Sequence, residues 1–81
     1  MAHVTIAIEL DDLGCDTIGE NRDAANEFFA SFGLLLAKNV DRIETDDGYM
    51  YGTIHDLSEE AVAAVEIIVS HTTFFEIKSV Q

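Results

Sequence analysis

Two stretches of the chain alternate between apolar and polar residues, one near each end. In residues 3–10, HVTIAIEL, every second residue is aliphatic, and residues 73–80, TFFEIKSV, alternate again after the phenylalanine pair. Successive side chains of a β-strand point to opposite faces of a sheet, so a period of two is typical of a strand buried on one face. The pattern therefore predicts a first and a last strand at these positions.

Apolar residues recur at helical spacing in two further stretches. The first predicted helix runs from about Asn21 to Lys38, with acidic residues in its first turns and a lysine at its end, as the helix dipole favours. Its apolar stripe consists of Ala25, Phe28, Phe29, Phe32, Leu35 and Leu36. The second helix follows an N-cap at Asp56, with Glu59 three positions later, and ends at about Ser70. It is expected to bury Ala61, Ala64, Val65 and Ile68.

A β-hairpin is predicted between the two helices. Residues 40–46 and 49–55 form its strands, and Asp47-Gly48 between them favours a two-residue type I′ turn, because both central residues of that turn need positive φ. The pairs that this turn implies are Thr45 with Met50, Ile43 with Gly52, and Asp41 with Ile54.

The predicted order of elements is β-α-β-β-α-β, with residues 11–20 as a loop after the first strand. Two βαβ halves with right-handed crossovers give an antiparallel four-stranded sheet in the order 4-1-3-2, with both helices on one face. We therefore expect an α+β protein with a ferredoxin-like fold, formed as one domain by residues 1–81. So widely shared a fold carries little information about function.

The face of the sheet without helices, called the open face below, is predicted to carry exposed aromatic side chains. Its aromatic residues are Tyr49, Tyr51 and Phe74. They are accompanied by Arg42, Glu44 and Thr53 from the hairpin, by His3, Thr5, Ala7 and Glu9 from the first strand, and by Glu76 and Lys78 from the last. His3 and His55 are expected to approach each other on this face, although two histidines without a third ligand make a poor metal site.

Composition adds a strong negative charge to this fold. Sixteen acidic residues against four basic ones give a net charge of −12, while 48% hydrophobic residues indicate a folded protein. The charge disfavours binding to nucleic acid and anionic membranes and favours basic surfaces. A single cysteine excludes an internal disulfide framework. The chain shows neither an apolar stretch of membrane-spanning length nor a signal peptide, so we expect a cytoplasmic protein.

The negative charge lies in two blocks, at residues 9–27 and 41–60, each with seven acidic residues against one arginine. The predicted topology brings the loop after the first strand and the hairpin turn to the same end of the sheet. The acidic residues expected to converge there, called the acidic edge below, are Asp11, Asp12, Asp16, Glu20, Asp46 and Asp47. On the first helix, Glu20, Asp23 and Glu27 form a stripe whose neighbours lie roughly 5–6 Å apart, similar to the spacing of phosphates along a nucleic-acid strand.

The sequence contains no catalytic constellation that would indicate an enzyme. It has no glycine-rich phosphate loop, no CxxC pair and no convincing Ser-His-Asp set. Acylphosphatases, which share the predicted fold, bind phosphate with an arginine-bearing loop after the first strand, whereas the equivalent loop here is acidic. We therefore expect a protein without enzymatic activity and without a cofactor.

The first functional hypothesis is an inhibitor that occupies a basic, nucleic-acid-binding groove on another protein. The acidic edge, the helical stripe and Glu44 would imitate phosphates, and Tyr49, Tyr51 and Phe74 would anchor the complex. In being small, strongly acidic and without catalytic motifs, the chain resembles phage-encoded inhibitors of restriction, repair and CRISPR enzymes. This resemblance is one of class and rests on no family motif.

Two other hypotheses explain the same residues. The protein could be a ligand-binding or dimerising ferredoxin-like domain whose acidity is an adaptation to a cytoplasm rich in KCl, with a homodimer formed through the open face. Alternatively, the acidic edge could bind Ca²⁺ or Mg²⁺, which take oxygen ligands, although its spacing differs from that of an EF-hand loop.

Overall fold

The computed structural model describes residues 1–81, in which four antiparallel strands form one sheet and two helices cover one of its faces. The elements are β1 (Ala2–Glu9), a short 3₁₀ helix (Leu10–Leu13), α1 (Ile18–Leu36), β2 (Val40–Glu44), β3 (Tyr49–Leu57), α2 (Glu59–Ser70) and β4 (Phe75–Val80). The strand order is β2-β3-β1-β4, with all pairs antiparallel. This is the predicted ferredoxin-like arrangement, so the predicted fold is confirmed.

The hydrophobic core lies between the sheet and the helices. Its fully buried side chains come from alternate positions of β1 and β3 and from the inner faces of both helices, and they include Ile6, Ile8, Ile54, Phe29 and Val65. Gly52 lies directly beneath one of the helical rings. A Cβ atom at this position would lie within 3.0 Å of three ring atoms of Phe29, so only glycine fits here.

Both helices differ from their predicted ends because of local caps. α1 begins at Ile18, three residues earlier than expected, since the Thr17 hydroxyl accepts a hydrogen bond of 3.1 Å from the Glu20 amide. The N-cap of α2 is Ser58 rather than Asp56. Leu35, predicted in the buried stripe of α1, is 66% exposed, so that part of the stripe was predicted wrongly.

The register of the hairpin also differs from the prediction. The connection is a three-residue loop, Asp46-Asp47-Gly48, in which the Thr45 amide donates to the Tyr49 carbonyl at 2.9 Å. Only Gly48 has positive φ, at 85°, so the turn is not type I′. Three-residue loops of this kind commonly end in a glycine with left-handed geometry.

The extra loop residue moves β2 by one position against β3. Asp41 pairs with Thr53 and Ile43 pairs with Tyr51, instead of the predicted partners. A shift of one residue sends every side chain of a strand to the other face. Arg42 and Glu44 therefore lie on the helical side, and the prediction that they face the open side is wrong.

Candidate functional site

Two tyrosines lie side by side on the open face of the sheet. The rings of Tyr49 and Tyr51, called the tyrosine pair below, have centroids 6.0 Å apart and planes 23° apart, and both side chains are partly exposed. Ile43, which the corrected register places opposite Tyr51, is 66% exposed. The tyrosine pair and Ile43 thus form an accessible apolar patch, to which the sequence analysis had not assigned the isoleucine.

Phe74 lies between this patch and the core, and it lines a small cavity together with Tyr49 and Glu9. It precedes β4 and packs against Phe28 of α1, with ring centroids 4.7 Å apart, at the margin of the core. The alternation that predicted an outward Phe74 does not apply to this residue, because β4 begins at Phe75, two residues later than predicted. The prediction that Phe74 is fully exposed on the open face is therefore wrong, and its role as a partner-binding anchor stays a prediction.

The acidic edge forms where two turns meet at one end of the sheet. The Leu10 amide, at the start of the 3₁₀ helix, donates a 2.9 Å hydrogen bond to the Gly48 carbonyl of the hairpin loop. This bond places the turn containing Asp11 and Asp12 beside the loop containing Asp46 and Asp47, as predicted. All four of these aspartates are exposed.

The remaining two residues of the acidic edge lie at the entrance to α1. Asp16 and Glu20 are exposed on either side of the Thr17 cap. The loop before them is held by Asn21, a buried residue whose Oδ1 accepts a hydrogen bond of 2.9 Å from the Cys15 amide. Further along the helix, Asp23 and Glu27 are also exposed, so the predicted acidic stripe faces solvent.

Like charges crowd together where the acidic edge meets the open face. Glu9 pairs with Tyr49 across β1 and β3. The charge of Asp12 raises the pKa of Glu9, with smaller contributions from desolvation, a hydrogen bond to Asp12 and the charge of Asp11. The charge of Glu9 in turn raises the pKa of Tyr49. Tyr49 therefore lies in a negative field that comes mainly from Glu9 and that the charge of Lys78 partly offsets.

Three of the four basic side chains, those of Arg22, Arg42 and Lys78, contact groups outside the acidic edge. Arg22 of α1 binds Glu44 in a two-pronged ion pair, with Nε–Oε1 at 2.5 Å and Nη2–Oε2 at 3.1 Å. This hydrogen-bonded pairing lowers the pKa of Glu44 and raises that of Arg22. Lys78 binds Glu76 at 3.4 Å, with its Nζ 6.0 Å from the centre of the Tyr49 ring. No residue of the acidic edge takes part in an ion pair.

The Arg22–Glu44 pair has a consequence for the predicted site. Glu44 was expected to lie beside the tyrosines on the open face. Instead, its carboxylate pairs with Arg22 of α1 on the helical side of the sheet. Arg42, the neighbouring cation of β2, likewise turns to α1, where Nη1 donates to the Asn26 side-chain Oδ1 at 3.1 Å. Both contacts follow from the register of β2, which the sequence analysis had shifted by one residue.

A second polar group lies at the opposite end of the open face. The Nδ1 atoms of His3 and His55 are 3.0 Å apart, so the predicted approach of the two histidines is confirmed. The Nε2 atom of His55 lies 3.0 Å from Oδ2 of Asp41, which pairs with Thr53 rather than with its predicted partner Ile54. Had the hairpin been predicted with a three-residue loop, the register of β2 would have placed Asp41 on the open face beside His55.

No group of three or more histidine, cysteine or acidic side chains has the geometry to hold a metal ion. Neither helix is both long enough and apolar enough to cross a membrane. An apolar groove of about 260 Å³ runs between the helices, lined by Phe28, Phe32, Leu35, Ile68 and Phe74 together with smaller side chains.

Comparison with family models, curated proteins and solved structures gives no match to this chain.

Proposed function

We propose that this protein binds a basic, nucleic-acid-binding groove on another protein and blocks it, acting as a mimic of nucleic acid without being an enzyme. The observation that carries the proposal is the juxtaposition of an acidic edge that forms no ion pair with a partly exposed tyrosine pair. The contact surface would consist of Asp11, Asp12, Asp16, Glu20, Asp46 and Asp47, with Tyr49, Tyr51 and Ile43 beside them.

Electrostatics supports a basic partner. The four basic residues cannot balance sixteen acidic ones, and two of them are already bound to Glu44 and Glu76, outside the acidic edge. The carboxylates of the acidic edge therefore keep their field, which would speed association with a cationic groove. A nucleic-acid ligand is disfavoured because binding to phosphates gains most of its affinity from cations on the protein, of which this chain has only four.

The tyrosine pair would supply the apolar contact area that the charged residues do not provide. Aromatic residues are enriched at the desolvated centres of protein interfaces and carry much of the binding energy there. Tyr49 adjoins Glu9 and the acidic edge, so one partner surface could contact both regions at once. We therefore assign fast encounter to the carboxylates and slow dissociation to the tyrosines and Ile43.

The test begins with capture. The immobilised protein is incubated with a nuclease-treated cell lysate, and bound proteins are eluted with short duplex DNA or RNA. Each protein released by nucleic acid is purified, and its binding to a fluorescent oligonucleotide is titrated with the free inhibitor. The proposal expects competitive loss of oligonucleotide binding, because both ligands occupy one groove.

Matched variants separate local from global charge. Asp12→Lys/Asp46→Lys alters the acidic edge, whereas Glu60→Lys/Glu66→Lys makes the same change in net charge on exposed positions of α2. We expect the first pair to slow association with the purified target about tenfold or more and the second to have a much smaller effect. Tyr51→Ala is expected to accelerate dissociation on the order of tenfold. Equal effects of the two charge variants, or capture that nucleic acid never reverses, would contradict the proposal.

A further inference from the structure

The hydrogen-bonding partners of His3 and His55 define which ring nitrogens carry protons. Asp41 Oδ2 can only accept from Nε2 of His55 when ionised, which leaves Nδ1 of a neutral His55 with a lone pair. The Asp56 amide is 3.4 Å from Nδ1 of His3, and a backbone amide can only donate, so this nitrogen also presents a lone pair. The two Nδ1 atoms are 3.0 Å apart, and the long amide contact engages the His3 lone pair only weakly.

Two acceptor nitrogens at this distance are stabilised when a cation lies beside them. A proton fulfils this role when one histidine is charged or changes tautomer. A transition-metal ion fulfils it with both rings neutral, because imidazole nitrogen is a preferred ligand of Cu²⁺, Ni²⁺ and Zn²⁺. Carboxylate-bound histidines are typical of such sites, since the carboxylate fixes the ring and its tautomer. Asp41 has this position toward His55.

We propose that His3 and His55 bind one divalent transition-metal ion through their Nδ1 atoms, with Asp41 as a positioning residue. Two nitrogens about 2.0–2.1 Å from one ion are about 2.9 Å apart when the angle at the ion is 90° and about 3.3–3.4 Å apart when it is tetrahedral. The observed 3.0 Å is closer to the first value. Nitrogen ligands bind Cu²⁺ more tightly than the other divalent first-row metal ions, so Cu²⁺ is expected to bind best, with water completing the coordination.

The pair is accessible from solvent, as binding requires. The side chain of His55 is 49% exposed and that of Asp41 is 71% exposed. The site is separate from the acidic edge, because His3 lies at the start of β1 and His55 near the end of β3, whereas the acidic edge lies where β1 ends and β3 begins. The inference is therefore independent of the proposed function.

Cu²⁺ titration of the full chain tests the site, with excess Mg²⁺ present to occupy carboxylate-only sites. Isothermal titration calorimetry measures affinity and stoichiometry, and electron paramagnetic resonance counts the coordinating nitrogens. We expect one ion per chain, bound by two imidazole nitrogens. His3→Gln and His55→Gln should each weaken binding at least about tenfold, and Asp41→Asn should weaken it about 10- to 100-fold while keeping the two-nitrogen spectrum.

His71→Gln is the matched control, because His71 is exposed at the C-terminal end of α2, away from the pair. It should bind Cu²⁺ like the unaltered protein, and thermal melting establishes that each variant is folded. Binding that His55→Gln leaves unchanged would overturn the proposal. Loss in His3→Gln alone would assign the ion to His3 and main-chain nitrogens, which also overturns it. A paramagnetic resonance spectrum that shows only oxygen ligands would also overturn the proposal.

Discussion

At the scale of single residues, repulsion between the charges of Glu9 and Asp12 makes the ionised Glu9 carboxylate destabilising at neutral pH. The raised pKa means that the folded protein holds this proton more tightly than the unfolded chain does. The contribution of Glu9 is therefore most favourable below its ordinary value of 4.5 and is lost as the pH rises through the raised value. Glu44 behaves oppositely, because Arg22 lowers its pKa, so its contribution is lost only at more acidic pH.

We predict that Glu9→Gln raises the melting temperature at pH 7 and flattens its dependence on pH above the ordinary pKa value of 4.5. Glutamine keeps the size of the side chain and removes the charge that Asp12 opposes. Circular dichroism melts across this pH range measure the effect. Glu66→Gln, at an exposed site on α2, is the control that removes one charge elsewhere. A pH profile of Glu9→Gln that runs parallel to that of the unaltered protein would contradict the assigned role.

At the scale of elements, the hairpin shows where sequence reasoning succeeds and where it stops. Period-two alternation and the Asp47-Gly48 pair suffice to predict two strands and a turn. They do not distinguish a two-residue loop from a three-residue loop, because either could place its glycine at positive φ. The contacts of Glu44 with Arg22 and of Arg42 with Asn26 depend on that choice, and they join residues distant in the sequence.

Other outcomes at this scale follow the same division. The approach of His3 to His55 was predictable, because it needs only antiparallel neighbours and the outward phase of each strand. The exposure of Leu35 and the packing of Phe74 on Phe28 were not predictable from spacing. They depend on where α1 lies on the sheet and on where β4 begins.

The hairpin loop makes a further prediction, for Gly48. Its φ of 85° is costly for a residue with a Cβ atom, yet nothing lies within 4 Å of that position, so the cost comes from the backbone alone. We expect Gly48→Ala to lower the free energy of unfolding by about 1–2 kcal/mol and Gly48→Asn to lower it less. Urea denaturation measures both.

Gly19→Ala is the matched control for the hairpin loop, because this glycine lies within α1 without positive φ and an added Cβ would meet only Thr17 Oγ1, at 3.9 Å. It should leave stability unchanged or raise it by up to about 1 kcal/mol. If Gly48→Ala proved as stable as the unaltered protein, the three-residue loop would not hold in solution.

At the scale of the whole molecule, the net charge of −12 is the property that needs an explanation. Binding to a basic partner and adaptation to a KCl-rich cytoplasm both account for acidic residues, but they differ in what the isolated chain requires. On the first account the chain must fold at ordinary ionic strength, with its unpaired acidic edge available to a partner. On the second, the carboxylates serve solvation at high salt, and the fold depends on that salt.

We predict that the protein is folded and monomeric at about 0.1 M KCl, where charges interact over about 10 Å, and melts at a moderately higher temperature at several molar KCl, where this distance falls to about 3 Å or less. The rise reflects screening of repulsion among exposed carboxylates, whereas the apolar core between sheet and helices is present at both concentrations. Thermal melting and light scattering at each concentration measure fold and size together. Glu60→Lys/Glu66→Lys, which makes the net charge less negative without altering the acidic edge, should show a smaller rise.

Unfolding at low salt with rescue at high salt would contradict the proposed function and make the acidity an adaptation to the solvent. A folded dimer that Tyr51→Ala converts to monomer would instead assign the open face to a second copy of the chain.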